Sequence, residues 1–313
     1  MPARVAMCFG FGGLPSSYNN MALLGLRRAR EEFGISFDFD LPETETEIER
    51  YIRKCAKSQK YESILTMGFA SGNPLLKVAA EYPSQKFVVL DALVHMPNVA
   101  SYISNQADIG FYTGYVATLI TETKLVGSVW GADYPIMRRW IAGTVEGMKY
   151  ANPNVELLYS FVKSWGDPAT AKNLALLQFS RGADIVVAHS TKGDPGIIEA
   201  AKETDKYVIG FGGARPQDPD HILFDVVRHG EVAVYDAIKS VVYGAFSGNT
   251  IHVYGLREGN WVLTLEDAHP IVTEKIKSKA RKIKNKIIAG KIALPNTNKE
   301  IAASVAKSKE IML

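Results

Sequence analysis

The sequence predicts an α/β fold with parallel sheets, divided between two lobes. Three observations carry this. Short β-branched or aromatic runs alternate with helical segments almost throughout the chain. Several runs, such as Phe87–Leu90 and Ile185–Ala188, are apolar at every position, the pattern of strands buried on both faces. The strands number about ten, large for one open sheet, so two sheets of about five or six fit better.

The predicted strands are Arg4–Phe9, Ser36–Leu41, Ser63–Met67, Phe87–Leu90, Val99–Ser104, Val126–Val129, Val155–Phe161, Ile185–Ala188, Tyr207–Phe211 and Ile222–Val227. Between them, Ser17–Phe33 places Leu23, Leu26 and Ala29 at helical spacing, with Arg27, Arg28 and Arg30 mostly outside. Thr44–Ser58 opens with Thr44 and Glu47 at capping-box spacing. Asp108–Glu122, Asp133–Tyr150, Asp167–Ser180, Asp194–Glu203 and Glu231–Phe246 follow the same scheme. Ile251–Leu256 and Trp261–Leu265 read as a hairpin-like pair, and Ala268–Ala289 as a closing helix. The first lobe is expected over residues 1–123 and 229–265, the second over 124–228 and 266–313. Two such lobes place a ligand cleft at the carboxyl ends of their strands.

The chain has 313 residues, 47% hydrophobic and 22% charged, with a formal net charge of +3. That is a soluble globular composition, and nothing global points to nucleic acid or a membrane surface. Two cysteines, Cys8 and Cys55, make no disulfide framework, and six scattered histidines make no zinc pattern. No cofactor or metal is expected. Met1–Phe9 has too short an apolar run for a secretory leader, and no stretch approaches the roughly 18–20 residues of a spanning helix. Lys275–Lys291 holds eight basic residues and no acid, but Ile276, Ala280, Ile283 and Ile287 recur at helical spacing. That is an apolar stripe with solvated basic faces, not a nucleic-acid surface.

Four segments invite a ligand. "CFGFGGLPSSYNN", Cys8–Asn20, leads from a strand into a helix. It fails the dinucleotide fingerprint, because Pro15 stands at the last glycine position, and no Lys-Ser/Thr makes a phosphate loop. What remains is a tight turn, Ser16 and Ser17 as possible caps, then Tyr18 and Asn19 at a helix start suited to a polar group. Asp91 ends the apolar run "KFVVLDA", where a carboxylate faces a cleft or caps a turn. "HSTKGDPG", His189–Gly196, offers His189, Lys192 and Gly193 after another strand, or an ordinary loop with Pro195 in a first helical turn. Trp130 and Trp165 stand at or beyond strand ends, where flat ligands stack, whereas Trp140 has helical neighbours and reads as core. No Ser–His–acid arrangement is present.

These pieces together resemble the basic membrane protein family of ABC-transporter solute-binding proteins, which includes purine-nucleoside receptors. The resemblance runs from Arg4 to about Pro295 through "SSYNNMALLGLRRAREEFGI", "YPSQKFVVLDA", "PNVASY", "DIGFYTGYVATLIT", "RGADIVVAHSTKGDPGIIEAAKE", "VVRHGEVAVYDAIKSVVYG" and "KIIAGKIALP". It implies a type I periplasmic-binding-protein fold, two Rossmann-like lobes closing on a ligand in the cleft between them, and no catalysis. Carried over by position, the family's Ser-Phe-Asn falls on Ser17, Tyr18 and Asn19, its strand-end acid on Asp91, and the acid before its Gly-Tyr helix on Asp108. Its second-lobe loop falls on Ala188–Gly193, and its lysine after the last crossing strand on Arg228.

The departures bear on the ligand. Relatives carry an acid at Pro15, another near Gly212 that is expected to hold sugar hydroxyls, and commonly Gly at Trp130. Each lost charge-assisted hydrogen bond is worth about 1.5–3 kcal/mol. A smaller, flatter or more anionic ligand is therefore implied, with Arg215 and Arg228 supplying positive charge. The implied function is the binding component of an ABC importer for a purine nucleoside, nucleobase or similar ring. Its partners are that ligand and an ABC permease, with no nucleic acid. The implied location is extracytoplasmic, through a leader absent from this chain. Two alternatives stand beside it: a cytoplasmic sensor, and an enzyme reusing the fold through His189, Asp91, Asp108 and Lys192.

Overall fold

The structure, a computed structural model, describes residues 2–11, 13, 14 and 17–313, with the side chain of Ser17 outside the description. In chain order it runs β1 (Arg4–Cys8), α1 (Ser17–Phe33), β2 (Ser36–Asp40), α2 (Glu45–Ser58), β3 (Ser63–Met67), α3 (Gly72–Glu81), β4 (Lys86–Leu90) and β5 (Val99–Ser104). There follow α4 (Gln106–Ile120), β6 (Leu125–Trp130), α5 (Pro135–Ala151), β7 (Glu156–Phe161), α6 (Pro168–Ser180), β8 (Ile185–His189), α7 (Asp194–Thr204), β9 (Tyr207–Phe211) and β10 (Ile222–Arg228). The chain ends with α8 (Glu231–Val242), β11 (Thr250–Tyr254), β12 (Trp261–Leu263), α9 (Glu274–Ile288), α10 (Asn298–Val305) and β13 (Lys309–Glu310).

Two sheets form, in the orders β2-β1-β3-β4-β5-β11 and β13-β7-β6-β8-β9-β10-β12. All pairings are parallel except β10 with β12. In each sheet the chain steps first to one side of its opening strand and then crosses to the other. The order therefore reverses between β1 and β3, and again between β6 and β8. In open α/β sheets, ligands bind at the carboxyl ends flanking such a reversal.

The apolar runs become the central strands for the expected reason: every residue of β3 and of β8 is buried. One face of the first sheet packs Val5, Met7, Val88 and Tyr102 against α1 and α8, through Leu26, Val234 and Ile238. The other packs Ala6, Cys8, Ile64 and Val89 against α2 and α3, through Ile52, Cys55, Leu75 and Val78. Cys8 and Cys55 are free and buried there, as small apolar side chains. In the second sheet Val129, Val186 and Val208 pack against α6 and α7 through Leu174, Phe179 and Ile197. Thr44 caps α2 by accepting from Glu47 N, and α9 buries Ala280, Ile283 and Ile287.

The structure divides into two compact units, Met1–Ser104 with His229–Asn260, and Asn105–Arg228 with Trp261–Leu313. The expected divisions near residues 123 and 265 both shift towards the strand ends. Helix α4 belongs with α5, because glycines bring the two backbones together. A Cβ on Gly110 or Gly114 would strike the carbonyl oxygens of Trp140 or Thr144, and one on Gly143 or Gly147 those of Ala107 or Phe111. The expected hairpin does not form: β11 pairs with β5, and β12 with β10. Adjacent β-patterned runs carry no statement of which edge each will join. Helix α3 escapes sequence reading because it opens "GNP", which resembles a turn, yet Pro74 sits in a first turn, where its missing N–H is harmless.

Candidate functional site

The reversal in the first sheet is covered by one aromatic ring. Gly10 follows β1, and Gly68 follows β3. A Cβ built on Gly10 would lie 3.1 Å from Tyr18 Cε1, and one on Gly68 3.9 Å from the same atom. The tyrosine thus lies across both strand ends, over positions that lack side chains. Its hydroxyl donates to Asp91 Oδ2 at 2.7 Å. Asp91 directly follows β4 with φ +59°, a left-handed conformation that aspartate tolerates better than most residues. Its own N–H donates to Tyr102 O at 2.8 Å, fixing the carboxylate at the sheet's carboxyl edge.

Asn19 holds the loop that carries Tyr18. It is fully buried. Its Oδ1 accepts from Gly10 N at 3.0 Å, and its Nδ2 donates to Gly10 O and Gly13 O, both at 2.8 Å. The amide expected to touch ligand is therefore engaged by the loop backbone. Gly12, Pro15, Ser16 and the side chain of Ser17 lie outside the described residues, so the Pro15 departure and the expected serine caps receive no structural account.

The reversal in the second sheet is aromatic too. β6 ends in Trp130, β8 in His189 and β9 in Phe211. His189 stacks on Phe211 with ring centroids 4.4 Å apart and planes at 21°. Trp140 meets His189 edge-on at 4.5 Å, and Trp130 meets it at 4.8 Å. Trp261 joins through Trp140 at 4.8 Å, and Trp165 stands 6.5 Å from His189. Three tryptophans are thus gathered around one imidazole, and the fourth, Trp261, joins them through Trp140 and Phe211. Trp130 is 1% exposed and donates its indole N–H to Ser128 Oγ at 2.9 Å. It supports the cluster from within and presents no open face, as does Trp140 at 2%. Phe211 and Trp165 are the half-exposed members.

His189 is 6% exposed, and neither ring nitrogen has a hydrogen-bond partner. Burial holds its imidazole down to about 3, so the ring is neutral at physiological pH. Arg228 ends β10 opposite Trp261 of β12, with its guanidinium carbon 5.6 Å from that indole's centroid. Asp108 is buried in the first turn of α4, three residues after the cap Asn105, where the helix dipole favours an anion. Lys192 is exposed on the loop after β8, and its backbone N–H donates to Trp165 O at 3.1 Å. Gly193 is buried, and a Cβ there would press on Ser190 Oγ at 2.6 Å. Gly212 and Gly213 leave β9 with φ of +72° and +95°, and nothing lies within 4 Å of a Cβ at either.

Two carboxylates that sequence reading missed shape these loops. Asp194 accepts from Ser190 N at 2.6 Å and from Ser190 Oγ at 2.9 Å, and burial pushes its carboxyl up to about 6. Asp225 accepts from Ala214 N and Arg215 N, both at 2.9 Å, bridging β10 to the loop after β9. Burial raises its carboxyl as well. An acid inside the apolar run "ILFDVV" was the available signal for Asp225. Arg215, expected to supply charge to a ligand, instead donates to the carbonyls of Asp267, Pro219 and Ile222. Among the described residues, no group of three or more His, Cys, Asp or Glu is placed to hold a metal ion, and no helix is long and apolar enough to cross a membrane.

Comparison with known proteins agrees with this architecture. Residues 10–298 match the family model described as Bmp, ABC transporter substrate-binding protein PnrA-like. An uncharacterized lipoprotein of Pyrococcus horikoshii is 29% identical over 280 residues, covering 83% of this chain and 69% of its own length. The ABC transporter nucleoside-binding protein BmpA of Lactococcus lactis is 26% identical over 260 residues, covering 77% and 73%. Among solved structures, an ABC transporter system solute-binding protein from Aeropyrum pernix matches with a TM-score of 0.79 and 27% identity, over 97% of this chain and 98% of that one. Both units therefore have the periplasmic-binding-protein architecture, and the chain belongs to the Bmp family of PnrA-like ABC transporter substrate-binding proteins.

Proposed function

We propose that this chain is the solute-binding component of an ABC importer and binds, without chemical change, a small polar ring such as a purine nucleoside or nucleobase. The observation that carries the reading is the Tyr18–Asp91 pair lying over the reversal of the first sheet. An aromatic face with a hydroxyl–carboxylate pair at its rim offers stacking and an acceptor to one flat ligand. The nucleoside-binding name of the Lactococcus lactis relative supports the same class.

In this reading Tyr18, Asp91, Asp108, His189, Lys192, Gly193, Gly212 and Arg228 are ligand contacts, together with Ser17. Asn19 and Trp130 hold those contacts in place. The lipoprotein relatives support an extracytoplasmic site of action and a membrane permease as partner.

A thermal-shift screen of purine bases and nucleosides tests the reading. Ligand at 100-fold above its dissociation constant stabilises by about 2.7 kcal/mol, a clear rise in melting temperature. No rise with any base or nucleoside at millimolar concentration removes the ring-binding reading. Asp91→Ala in the first unit is expected to weaken a ligand that does bind.

A further inference from the structure

The tryptophans of the second unit divide by exposure. Trp130, Trp140 and Trp261 are 1%, 2% and 2% exposed, and their rings pack on one another. Trp165 is the half-exposed one. Phe211 is half-exposed too, but its ring already stacks on His189.

Trp165 is seated as Tyr18 is. Gly131 directly follows β6, and a Cβ built on it would lie 2.6 Å from both Cδ2 and Cζ3 of Trp165, closer than side-chain carbons approach a ring. The indole therefore rests on backbone where a side chain would stand. Its centroid lies 6.5 Å from that of His189, the last residue of β8. The ring thus lies at the reversal between β6 and β8, as Tyr18 lies at the reversal between β1 and β3, and such edges bind ligands.

The loop after β7 is held by its own backbone. Val162 N donates to Trp130 O at 2.8 Å, and Trp165 O accepts from Lys192 N at 3.1 Å. Two residues further on, Asp167 caps α6 by accepting from Thr170 N at 3.0 Å. A ring placed in advance loses little freedom when a ligand stacks on it.

We propose that Trp165 is a ligand contact, the second unit's stacking face for a flat heterocycle, and that Gly131 is the positioning residue that lets the indole lie there. This rests on the ring-binding reading above and adds a contact to it.

Calorimetric and fluorescence titration of the purified chain with adenine, hypoxanthine, adenosine and inosine tests it. Trp165→Ala is expected to weaken whichever of these binds by at least about fivefold, the lower end of base–aromatic stacking. Trp165→Phe keeps a smaller ring and is expected to lose less. A purine stacked on an indole quenches its emission, so the quench caused by ligand should largely vanish in Trp165→Phe, although the other three tryptophans remain. Gly131→Ala keeps the indole but displaces it. It should weaken the same ligand, and it should add no further loss in a Trp165→Ala background. Melting curves identify the variants that fold, and the two Trp165 variants decide the matter if Gly131→Ala does not. Undiminished affinity in Trp165→Ala overturns the proposal and leaves the ring-binding reading intact. So does a quench that persists in full in Trp165→Phe. Silence from all four compounds removes both.

Discussion

Asn260 donates through Nδ2 to Ser104 Oγ at 2.9 Å, across 156 residues of sequence. Ser104 and Asn260 are each the last residue of a first-unit segment, and His229 is the first residue of the second of those segments. The N–H of His229 donates to Asn260 O at 2.8 Å. One fully buried asparagine thus ties together, on the first unit's side, all three places where the chain passes between units.

Removing that tie should be felt in stability. Asn260→Ala leaves the Ser104 hydroxyl without this donor and opens space in a buried position, and is expected to cost about 1–3 kcal/mol. Ser104→Ala breaks the same bond. The double variant should therefore lose less than the sum of the two single losses. Chemical denaturation of the four proteins measures this, and strict additivity would show that the bond contributes nothing.

The Tyr18–Asp91 pair separates two ligand interactions. Tyr18→Phe keeps the ring over Gly10 and Gly68 but deletes the hydroxyl. Tyr18→Ala deletes both. If the ring stacks on ligand, Tyr18→Ala should weaken binding beyond Tyr18→Phe by about 0.5–1.5 kcal/mol, a few-fold to about tenfold. Equal affinities for the two variants, measured by calorimetry, would take the ring out of the contact set.

The end of β8 and the start of α7 carry two groups that titrate in opposite senses. Burial depresses His189 to about 3, below its ordinary value of 6.5. The unfolded chain therefore binds the extra proton first, and stability falls as pH drops from about 6.5 towards 3. Burial raises Asp194 from 3.8 to about 6, so its contribution is fully present below 3.8 and is lost as pH rises through about 6. Between pH 4 and 6 the two slopes oppose each other. Asp194→Asn keeps an acceptor for Ser190 and should steepen the loss of stability on acidification. His189→Phe should leave a protein whose stability declines from pH 4 to 6. Denaturation midpoints across that window check both slopes.

The α4–α5 contact leaves no room for a methyl group. A Cβ on Gly147 would fall against the carbonyl oxygen of Phe111, and one on Gly114 against that of Thr144. Backbone cannot move aside as a flexible side chain can. Gly147→Ala is therefore expected to destabilise by about 1–3 kcal/mol despite alanine's better helix propensity. Gly290→Ala, with no atom near its Cβ, is strained only by its φ of +67° and should lose less. Calorimetric melting of the two variants decides the order.

The alternation of apolar strands with amphipathic helices determined the α/β class and two sheets, because strand and helix periodicities are local and each must bury one face or both. The same locality made Asp91 legible, an acid closing an apolar run, and placed Tyr18, Asn19 and His189 at strand and helix ends. The tertiary structure decided what those residues meet. It engaged the Asn19 amide with Gly10 and Gly13, buried Trp130 and tied Arg215 to three carbonyls. It also gave the loop after β9 to Asp225. Each of these is a pairing between residues whose approach depends on sheet order and strand register, which no local pattern encodes. The same reason separates β11 from β12: both were legible as strands, and only the free edges of β5 and β10 determined which sheet each would join.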